Sequence, residues 1–225
     1  MFDYTEIPTE NLRALSRYPY LNHIQRGFQT YLITCTILRE NVPGACVECG
    51  VGSGGMPAAM ALAMKQLKIR RPIHLFDSFE GIPLAGPKDK EQPGIGKITT
   101  DVLQPIEKRL VSSKIATCPV TDVKNCLAKW GFQDYEFYFH VGWFQKTMPG
   151  TNIGPIAFLR LDADLYESTE CALQHLYPFV CPQGFVFIDD WGLAGCQQAV
   201  KDYFTSQPPA PYYQFEEFGA AYWRK

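Results

Sequence analysis

The sequence lacks several features that would at once indicate a membrane or secreted protein. No run of apolar residues approaches the roughly 18 that a membrane-spanning helix needs. The first residues, MFDYTEIPTENLR, contain acids and no basic stretch followed by an apolar core, so we expect no signal peptide. No internal repeat or low-complexity tract is present. We therefore expect a cytoplasmic globular protein without a membrane partner.

Basic residues are neither in excess nor clustered. The chain has 21 Lys and Arg against 23 Asp and Glu, which gives a formal net charge of -2 at pH 7. Nucleic-acid binding depends on Lys and Arg that neutralise phosphates, so we expect no nucleic-acid partner. The 225 residues, 46% of them hydrophobic, suit a single α/β domain with a full core.

A Cys-x-x-Cys pair, Cys46 and Cys49, is present, but no second pair accompanies it as a zinc ribbon would require. The pair lies within an apolar strand pattern, where positions i and i+3 face opposite sides of a sheet. We therefore predict buried structural thiols. The other six cysteines are scattered among apolar neighbours, which fits a reducing compartment.

Strand and helix patterns alternate along most of the chain. Strands are predicted at 45–50, 72–77, 135–142, 156–162 and 184–189. Helices are predicted at 24–38 after Asn22, at 56–67, at 102–110, after Thr121, and near Ser168 and Ala194. The last residues turn at Gly219 between two aromatic runs, which predicts a hairpin. The alternation predicts a largely parallel sheet with helices on both faces and the antiparallel hairpin at one edge.

Within this single domain, 1–225, two segments are set apart. Residues 1–42 are predicted to form an N-terminal helical cap. Residues 80–100 are rich in Gly, Pro and charge and have no hydrophobic period, which predicts a mobile lid loop.

A glycine turn, ECGVGSGG, follows the first strand. Gly50, Gly52 and Ser53 allow the backbone to approach a ligand closely. Asp77 closes the second strand about 22 residues after the turn, where a carboxylate can bind ribose hydroxyls. Both NAD and S-adenosylmethionine are held in this way, so an NAD-dependent oxidoreductase stays open. Glu48 favours a methyltransferase, because a dinucleotide-binding strand prefers an apolar residue at that position.

Two acidic pairs end later strands: Asp162 and Asp164 in LRLDADLYEST, and Asp189 and Asp190 in FIDDWG. Asp162 and Asp164 project to one side if strand geometry continues through them. Because parallel strands end at one edge of the sheet, up to four carboxylates converge there. Such a group needs a positive partner, and an all-oxygen set favours Mg²⁺, Ca²⁺ or Mn²⁺ over zinc. Solvated loop acids are the alternative.

Five segments, in chain order from about residue 45 to 195, resemble the motifs of the macrocin O-methyltransferase family: VECGVGSGG, LFDSFEGIP, GWFQKTMP, LRLDADLYEST and FIDDWG. That family comprises S-adenosylmethionine- and Mg²⁺-dependent enzymes that methylate sugar hydroxyls of antibiotics. The layout is also similar to catechol and caffeoyl-CoA O-methyltransferases. The resemblance implies a Rossmann-like class I methyltransferase with a mostly parallel, seven-stranded sheet.

The resemblance also implies roles for particular residues. Asp164 would be the general base, and the metal ligands would be Asp162, Asp189 and Asp190. The S-adenosylmethionine site would comprise Glu48, Gly50, Gly52, Ser53, Asp77, Ser78, Gly142, Trp143 and Asp162. The partner would be a small molecule carrying a sugar or vicinal-diol hydroxyl, covered by the lid. A homodimer is compatible with these features. His74 and His140 stay open as alternative bases, and a non-catalytic S-adenosylmethionine-binding protein stays open as an alternative function.

Overall fold

A computed structural model describes residues 2–18, 24–89, 110–207, 213–216 and 219–225. Within these ranges the helices are α1 (Thr9–Leu15), α2 (Ile24–Arg39), α3 (Gly55–Leu67), α4 (Val120–Lys129), α5 (Phe144–Thr147), α6 (Tyr166–Leu176) and α7 (Ala194–Ser206). Short 3₁₀ turns lie at Tyr4–Glu6, Pro87–Asp89 and Tyr177–Phe179. The strands are β1 (Ala45–Cys49), β2 (Ile73–Asp77), β3 (Phe137–Val141), β4 (Ile156–Leu161), β5 (Val180–Ile188), β6 (Gln214–Glu216) and β7 (Ala220–Arg224).

The seven strands form one sheet in the order β3-β2-β1-β4-β5-β7-β6. Strands β1 to β5 run parallel, whereas β7 is antiparallel to both β5 and β6. This arrangement confirms the predicted parallel sheet with a C-terminal antiparallel hairpin. The chain builds outward from β1 to β3 and then returns to the other side of β1 with β4. Ligands of parallel sheets bind at such a reversal of strand order, at the carboxyl ends of the strands.

Two hydrophobic layers cover the two faces of the sheet, because successive side chains of a strand point to opposite faces. Cys46 packs in the layer that contains Leu32 of α2 and Met60 of α3, and Cys49 packs in the layer that contains Leu173 of α6. Both thiols are fully buried, and all eight cysteines are free. The structure thus places the Cys-x-x-Cys pair in the core, as predicted.

Some predicted boundaries are wrong. Helix α4 follows Pro119, not a Thr121 cap, because the fixed φ of -56° and extended ψ of 141° at Pro119 already lead the chain into the helix. Helix α6 begins at Tyr166, near Ser168 as predicted. The predicted Asn22 cap and residues 102–109 of a predicted helix lie outside the described residues. Among the residues that are described, no helix combines the length and apolar character needed to cross a bilayer.

The described part of the predicted lid, 80–89, is hydrogen-bonded to a neighbouring segment. The Ile82 N–H donates to the Ile115 carbonyl at 2.9 Å, and the Ser113 N–H donates to the Ile82 carbonyl at 2.8 Å. The Leu84 N–H donates to the Val111 carbonyl at 2.9 Å. Residues 80–89 and 110–117 therefore form a short antiparallel ribbon. Residues 90–100 lie outside the described residues, and the mobility of the lid stays a prediction.

Candidate active site

A cavity of about 350 Å³ opens at the carboxyl ends of the parallel strands. Eight of the predicted site residues line it: Gly50, Gly52, Asp77, Ser78, Trp143, Asp162, Asp164 and Asp189. Four do not, namely Glu48, Ser53, Gly142 and Asp190. The cavity wall also contains residues that the sequence analysis did not single out, among them Arg26, Met56, Ile82, Ile115, Phe144 and Ser168. The ends of separate strands therefore bring eight of the twelve predicted site residues to one cavity.

The glycine turn after β1 packs directly against the end of β4. Gly50 has a φ of +85°, a conformation that favours glycine. A Cβ atom at this position would lie 1.9 Å from the carbonyl oxygen of Asp162, well inside any van der Waals contact. Residue 50 must therefore be a glycine for the turn after β1 to pack against Asp162, the residue that follows β4.

Asp77 ties the glycine turn to the end of β2. Its Oδ2 accepts the N–H of Val51 at 2.7 Å and that of Gly52 at 3.4 Å, and its Oδ1 accepts the N–H of Phe79 at 2.7 Å. Burial raises the pKa of this carboxyl, while these three N–H groups act in the opposite direction. Asp77 lines the cavity where a ribose would be bound in the predicted cofactor site.

The premise that strand geometry continues through Asp162 and Asp164 is wrong. Strand β4 ends at Leu161, and Asp164 adopts a φ of +55°. The Leu165 N–H donates to the Ala163 carbonyl at 2.5 Å and closes a strained γ-turn centred on Asp164. The Asp164 N–H in turn donates to Asp190 Oδ2 at 2.9 Å. The γ-turn, rather than an extended strand, therefore brings the acids together.

Asp162, Asp164 and Asp190 each offer a carboxylate oxygen within 4.8 Å of the others. Burial, followed by repulsion from neighbouring carboxylates, raises the pKa of Asp162 to about 6 and that of Asp164 to about 8. The same causes raise the pKa of Asp190 well above its ordinary value. A hard divalent cation would relieve this repulsion, and an all-carboxylate donor set fits such a cation.

Asp189 has a different positive partner from the one that the sequence analysis named. Its Oδ1 forms ion pairs with Arg26 Nε at 2.7 Å and with Arg160 Nη2 at 2.8 Å. Both guanidinium groups are almost fully buried. The role of Asp189 as a metal ligand stays a prediction.

Arg160 is the centre of a buried charge network beneath the cavity. Its Nη1 donates to Glu48 Oε1 at 2.5 Å and to Asp162 Oδ2 at 3.1 Å. Glu48 and Arg160 are register partners on the adjacent parallel strands β1 and β4. Burial raises the pKa of Glu48 to about 8, while Arg160 lowers it. Glu48 thus balances the charge of Arg160 below the cavity, and its role as a cofactor ligand stays a prediction.

A signal for this ion pair exists in the sequence. Glu48 and Arg160 are opposite charges in apolar strands, each two residues before the residue that follows its strand, Gly50 and Asp162. Opposite charges at matching positions of neighbouring strands are candidates for a cross-strand pair. Arg26 offers no comparable signal, because it lies on α2, far from the acids in the sequence.

The two histidines that stood as alternative bases contact each other instead of the cavity. His74 Nδ1 lies 3.0 Å from His140 Nε2, across the neighbouring strands β2 and β3. Burial lowers the pKa of both rings, and that of His74 falls to about 4. Neither ring lines the cavity, so the geometry favours Asp164 over either histidine as the base.

Four features define the class of this protein. They are the strand order, the glycine turn after β1, Asp77 at the end of β2, and the acid group, which is formed by Asp162, Asp164 and Asp190. Together they are typical of a Rossmann-like methyltransferase, with the cofactor-type turn and the acids facing one cavity. Comparison with known proteins gives the family.

The chain belongs to the Macrocin-O-methyltransferase (TylF) family, whose profile matches residues 25–225. It is 34% identical over 209 residues, 90% of this chain and 76% of that protein, to the 8-demethyl-8-(2,3-dimethoxy-alpha-L-rhamnosyl)-tetracenomycin-C 4'-O-methyltransferase of Streptomyces olivaceus. It is 32% identical over 191 residues, 83% of this chain and 72% of that protein, to the Mycinamicin III 3''-O-methyltransferase of Micromonospora griseorubida.

Among solved structures, the fold is similar to that of the O-methyltransferase NovP, with a TM-score of 0.75 and 29% sequence identity. This similarity covers 90% of this chain and 80% of that one. The protein is therefore an O-methyltransferase, which confirms the predicted activity and decides against an oxidoreductase and against a non-catalytic binding protein.

Proposed function

We propose that this enzyme transfers the methyl group of S-adenosylmethionine to a sugar hydroxyl of a glycosylated small molecule, with a hard divalent cation held by the acid group. One observation carries the proposal. The three carboxylates of Asp162, Asp164 and Asp190, which converge within 4.8 Å, lie beside a cavity whose wall also contains the glycine turn and Asp77. Residues suited to bind the cofactor and carboxylates suited to bind a cation thus lie at the same cavity.

The methyl donor is assigned to the side of the cavity formed by the β1 and β2 ends. Gly50 and Gly52, which line the cavity, would leave room for the methionine part, and Asp77 with Ser78 would face the ribose. Trp143, which precedes α5, lines the same cavity and is assigned to the adenine. Structures with bound S-adenosylhomocysteine share this fold at 14% and 10% identity, which supports the choice of cofactor through the fold.

The acceptor is proposed from the curated relatives. One is named a 4'-O-methyltransferase of a tetracenomycin that carries a 2,3-dimethoxy-alpha-L-rhamnosyl group, and another is named a Mycinamicin III 3''-O-methyltransferase. The first of these names contains a sugar. A sugar hydroxyl with an oxygen neighbour is therefore the acceptor class that we assign to this chain.

The residues of the acid group would perform the proton chemistry. An aliphatic hydroxyl is a poor nucleophile, and a bound divalent cation lowers the pKa of such a group by several units. Asp164, held by its γ-turn beside Asp162 and Asp190, would accept the hydroxyl proton. The acceptor oxygen would bond to the methyl carbon while the carbon–sulfur bond breaks, and the electron pair of that bond would remain on sulfur. S-adenosylhomocysteine and the methyl ether are the products.

Arg26 and Arg160 would support this site by holding Asp189. The two ion pairs hold one carboxylate oxygen of Asp189. They also offset part of the negative charge beneath the cavity, so that Asp162 and Asp190 remain close without protonation once a cation is present. Asp162 at the end of β4 and Asp189 at the end of β5 thus both form ion pairs with buried arginines.

A methyl-transfer assay tests the proposal. The enzyme is incubated with S-adenosylmethionine and an aryl alpha-L-rhamnoside, with Mg²⁺ or after EDTA treatment, and both products are measured by mass spectrometry. We expect one methyl group on the sugar, and loss of turnover in EDTA that Mg²⁺ restores. For Asp190→Asn we expect a decrease of about 100-fold or more, from the several kcal/mol that a metal ion supplies.

Two results would contradict the proposal. Full turnover after EDTA treatment would eliminate the cation, and methylation of a phenol control in preference to the rhamnoside would eliminate the sugar acceptor. The binding of S-adenosylhomocysteine, measured by calorimetry, serves as the control for an intact cofactor site in Asp190→Asn, because Asp190 does not line the cavity.

A further inference from the structure

Asp89 joins the ribbon segment 80–89 to the first residue of helix α6. Its side chain is 1% exposed, and both of its oxygens accept backbone hydrogen bonds. Oδ2 accepts the N–H of Gly86 at 3.0 Å, and Oδ1 accepts the N–H of Tyr166 at 2.8 Å. A buried carboxylate with two backbone donors on separate segments is a clamp, because neither segment can move without breaking a bond.

The Asp89 clamp also caps helix α6. The first N–H groups of a helix lack partners within the helix, and a side-chain oxygen at the N-cap position normally accepts one of them. Here the N-cap residue is Leu165, which provides no such oxygen. Asp89, 77 residues earlier in the chain, takes over this function for Tyr166. The start of α6 is thus fixed by a residue of another segment.

The turn that carries Asp164 lies directly before the Asp89 clamp. The γ-turn runs from Ala163 to Leu165, and Tyr166, whose N–H Asp89 accepts, is the next residue. On its other side the γ-turn is fixed by the bond from the Asp164 N–H to Asp190. The strained conformation of Asp164 is therefore held from two sides, and one of them is Asp89.

The same clamp sets one wall of the cavity. Ile82 and Pro83 of the ribbon line the cavity, as does Ile115 opposite them. The 3₁₀ turn Pro87–Asp89 ends the described part of this segment. Within this turn, Lys88 Nζ lies 3.6 Å from the centroid of the Tyr166 ring. Lys88 also forms an exposed ion pair with Asp202 of α7. The ribbon wall and the base-bearing turn thus share one buried anchor.

We propose that Asp89 is a positioning residue for methyl transfer, which holds the Asp164 turn and the Ile82–Pro83 wall in the relative arrangement that the reaction requires. The proposal rests on the proposed function, since Asp164 is the base in that reaction. Asp89 does not line the cavity. Its loss misplaces reacting groups without removing any of them, and small displacements of this kind cost up to about 100-fold in rate.

The test compares Asp89→Ala with Glu167→Gln. The alanine removes both acceptor oxygens, so neither Gly86 nor Tyr166 keeps its bond to residue 89. Glu167→Gln removes the same charge from an exposed side chain of the first turn of α6 and leaves the clamp intact. It therefore controls for a purely electrostatic effect on the acids.

Three quantities are measured: S-adenosylhomocysteine binding by calorimetry, kcat per binding site with the rhamnoside and Mg²⁺, and exchange of the Tyr166 amide by hydrogen-exchange mass spectrometry. For Asp89→Ala we expect an unchanged dissociation constant within about threefold, a kcat per site at least about tenfold lower, and exchange at Tyr166 at least about tenfold faster. Glu167→Gln is expected to change none of them by more than about twofold.

Each contrary outcome overturns the proposal. Unchanged exchange at Tyr166 would mean that the clamp does not hold α6, and an unchanged kcat with fast exchange would mean that the clamp does not serve the reaction. Loss of S-adenosylhomocysteine binding together with activity would assign Asp89 to the stability of the whole fold. If the unaltered enzyme binds S-adenosylhomocysteine but does not methylate the rhamnoside, the proposed function fails, while the exchange at Tyr166 still tests the clamp.

Discussion

Replacement of Arg160 by Met tests the buried charge network beneath the cavity. The Arg160 side chain is fully buried and contacts carboxylate oxygens of Glu48, Asp162 and Asp189 at 2.5, 3.1 and 2.8 Å. Methionine fills a similar volume but offers no charge. The variant would leave Glu48, which is also fully buried, without a counterion.

The size of the effect follows from the burial of both partners. Removal of one member of a buried ion pair costs about 3–5 kcal/mol, because an uncompensated charge remains inside the protein. For a chain of this length, about 1 kcal/mol corresponds to a change of about 2–4 °C in Tm. Glu48 has a pKa of about 8 and is charged above that pH. We therefore expect Arg160→Met to lower Tm by about 6–20 °C at about pH 9.

The assay is thermal unfolding followed by circular dichroism, with two further variants. Glu48→Gln combined with Arg160→Met removes both charges of the pair, so it should recover a large part of the loss. Arg39→Met is the matched control, since Arg39 pairs with Glu6 at 3.1 Å but both side chains are 54% exposed. Exposed pairs contribute at most about 1 kcal/mol, so its Tm should change by no more than a few degrees.

Two results would refute this account of the network. A decrease in Tm for Arg160→Met as small as that for Arg39→Met would mean that the buried ion pair does not stabilise the fold. A double variant that unfolds no later than Arg160→Met would mean that the unpaired charge of Glu48 is not the cause of the loss.

Two other predictions concern the site itself. Gly50→Ala should lower Tm far more than Gly150→Ala in thermal unfolding. Both glycines have positive φ, but only at Gly50 would a Cβ lie 1.9 Å from the Asp162 carbonyl oxygen. Equal decreases in Tm would show that the backbone strain of a positive φ, and not this steric clash, is the cause. Burial and neighbouring carboxylates raise the pKa of Asp164 to about 8 and that of Asp162 to about 6. The unfolded chain releases the Asp164 proton near its ordinary pKa, so without added cation Tm should fall as pH rises from about 6.5 to about 8 and level off above it. Glu48, with a pKa of about 8, acts in the same direction. His74, with a pKa of about 4, stays neutral in the folded state there. Mg²⁺ should raise Tm more at the upper end of this range than at the lower, and an equal gain at both ends would contradict the coupling.

Much of the fold could be predicted because its signals are local. Apolar runs that end in glycine or acids predicted the five parallel strands, and the aromatic runs around Gly219 predicted the hairpin. The carboxyl ends of parallel strands meet at one edge, so the convergence of Asp77, Asp162 and Asp164 on one cavity followed from the strand assignments. Positions within a strand were enough for this inference.

Other parts of the site depend on contacts between distant segments. Arg26 reaches Asp189 because α2 packs against β4 and β5, and Asp89 reaches Tyr166 across 77 residues of chain. The φ of +55° at Asp164 is also not encoded by a glycine. The assumption that the strand continues through Asp164 correctly placed this residue near the other acids, but the backbone conformation that it implied was wrong. The γ-turn at Asp164 is held by hydrogen bonds to other segments on both of its sides.

The measurement that tests the central claim most directly is the position of Mn²⁺ in a crystal of the enzyme with S-adenosylhomocysteine, located by anomalous scattering. The account predicts one Mn²⁺ peak within bonding distance of Asp162 and Asp190, with the nucleoside beside Asp77 and Trp143 in the same cavity. A cavity that holds S-adenosylhomocysteine without Mn²⁺ at these acids, or Mn²⁺ bound elsewhere on the protein, would contradict it.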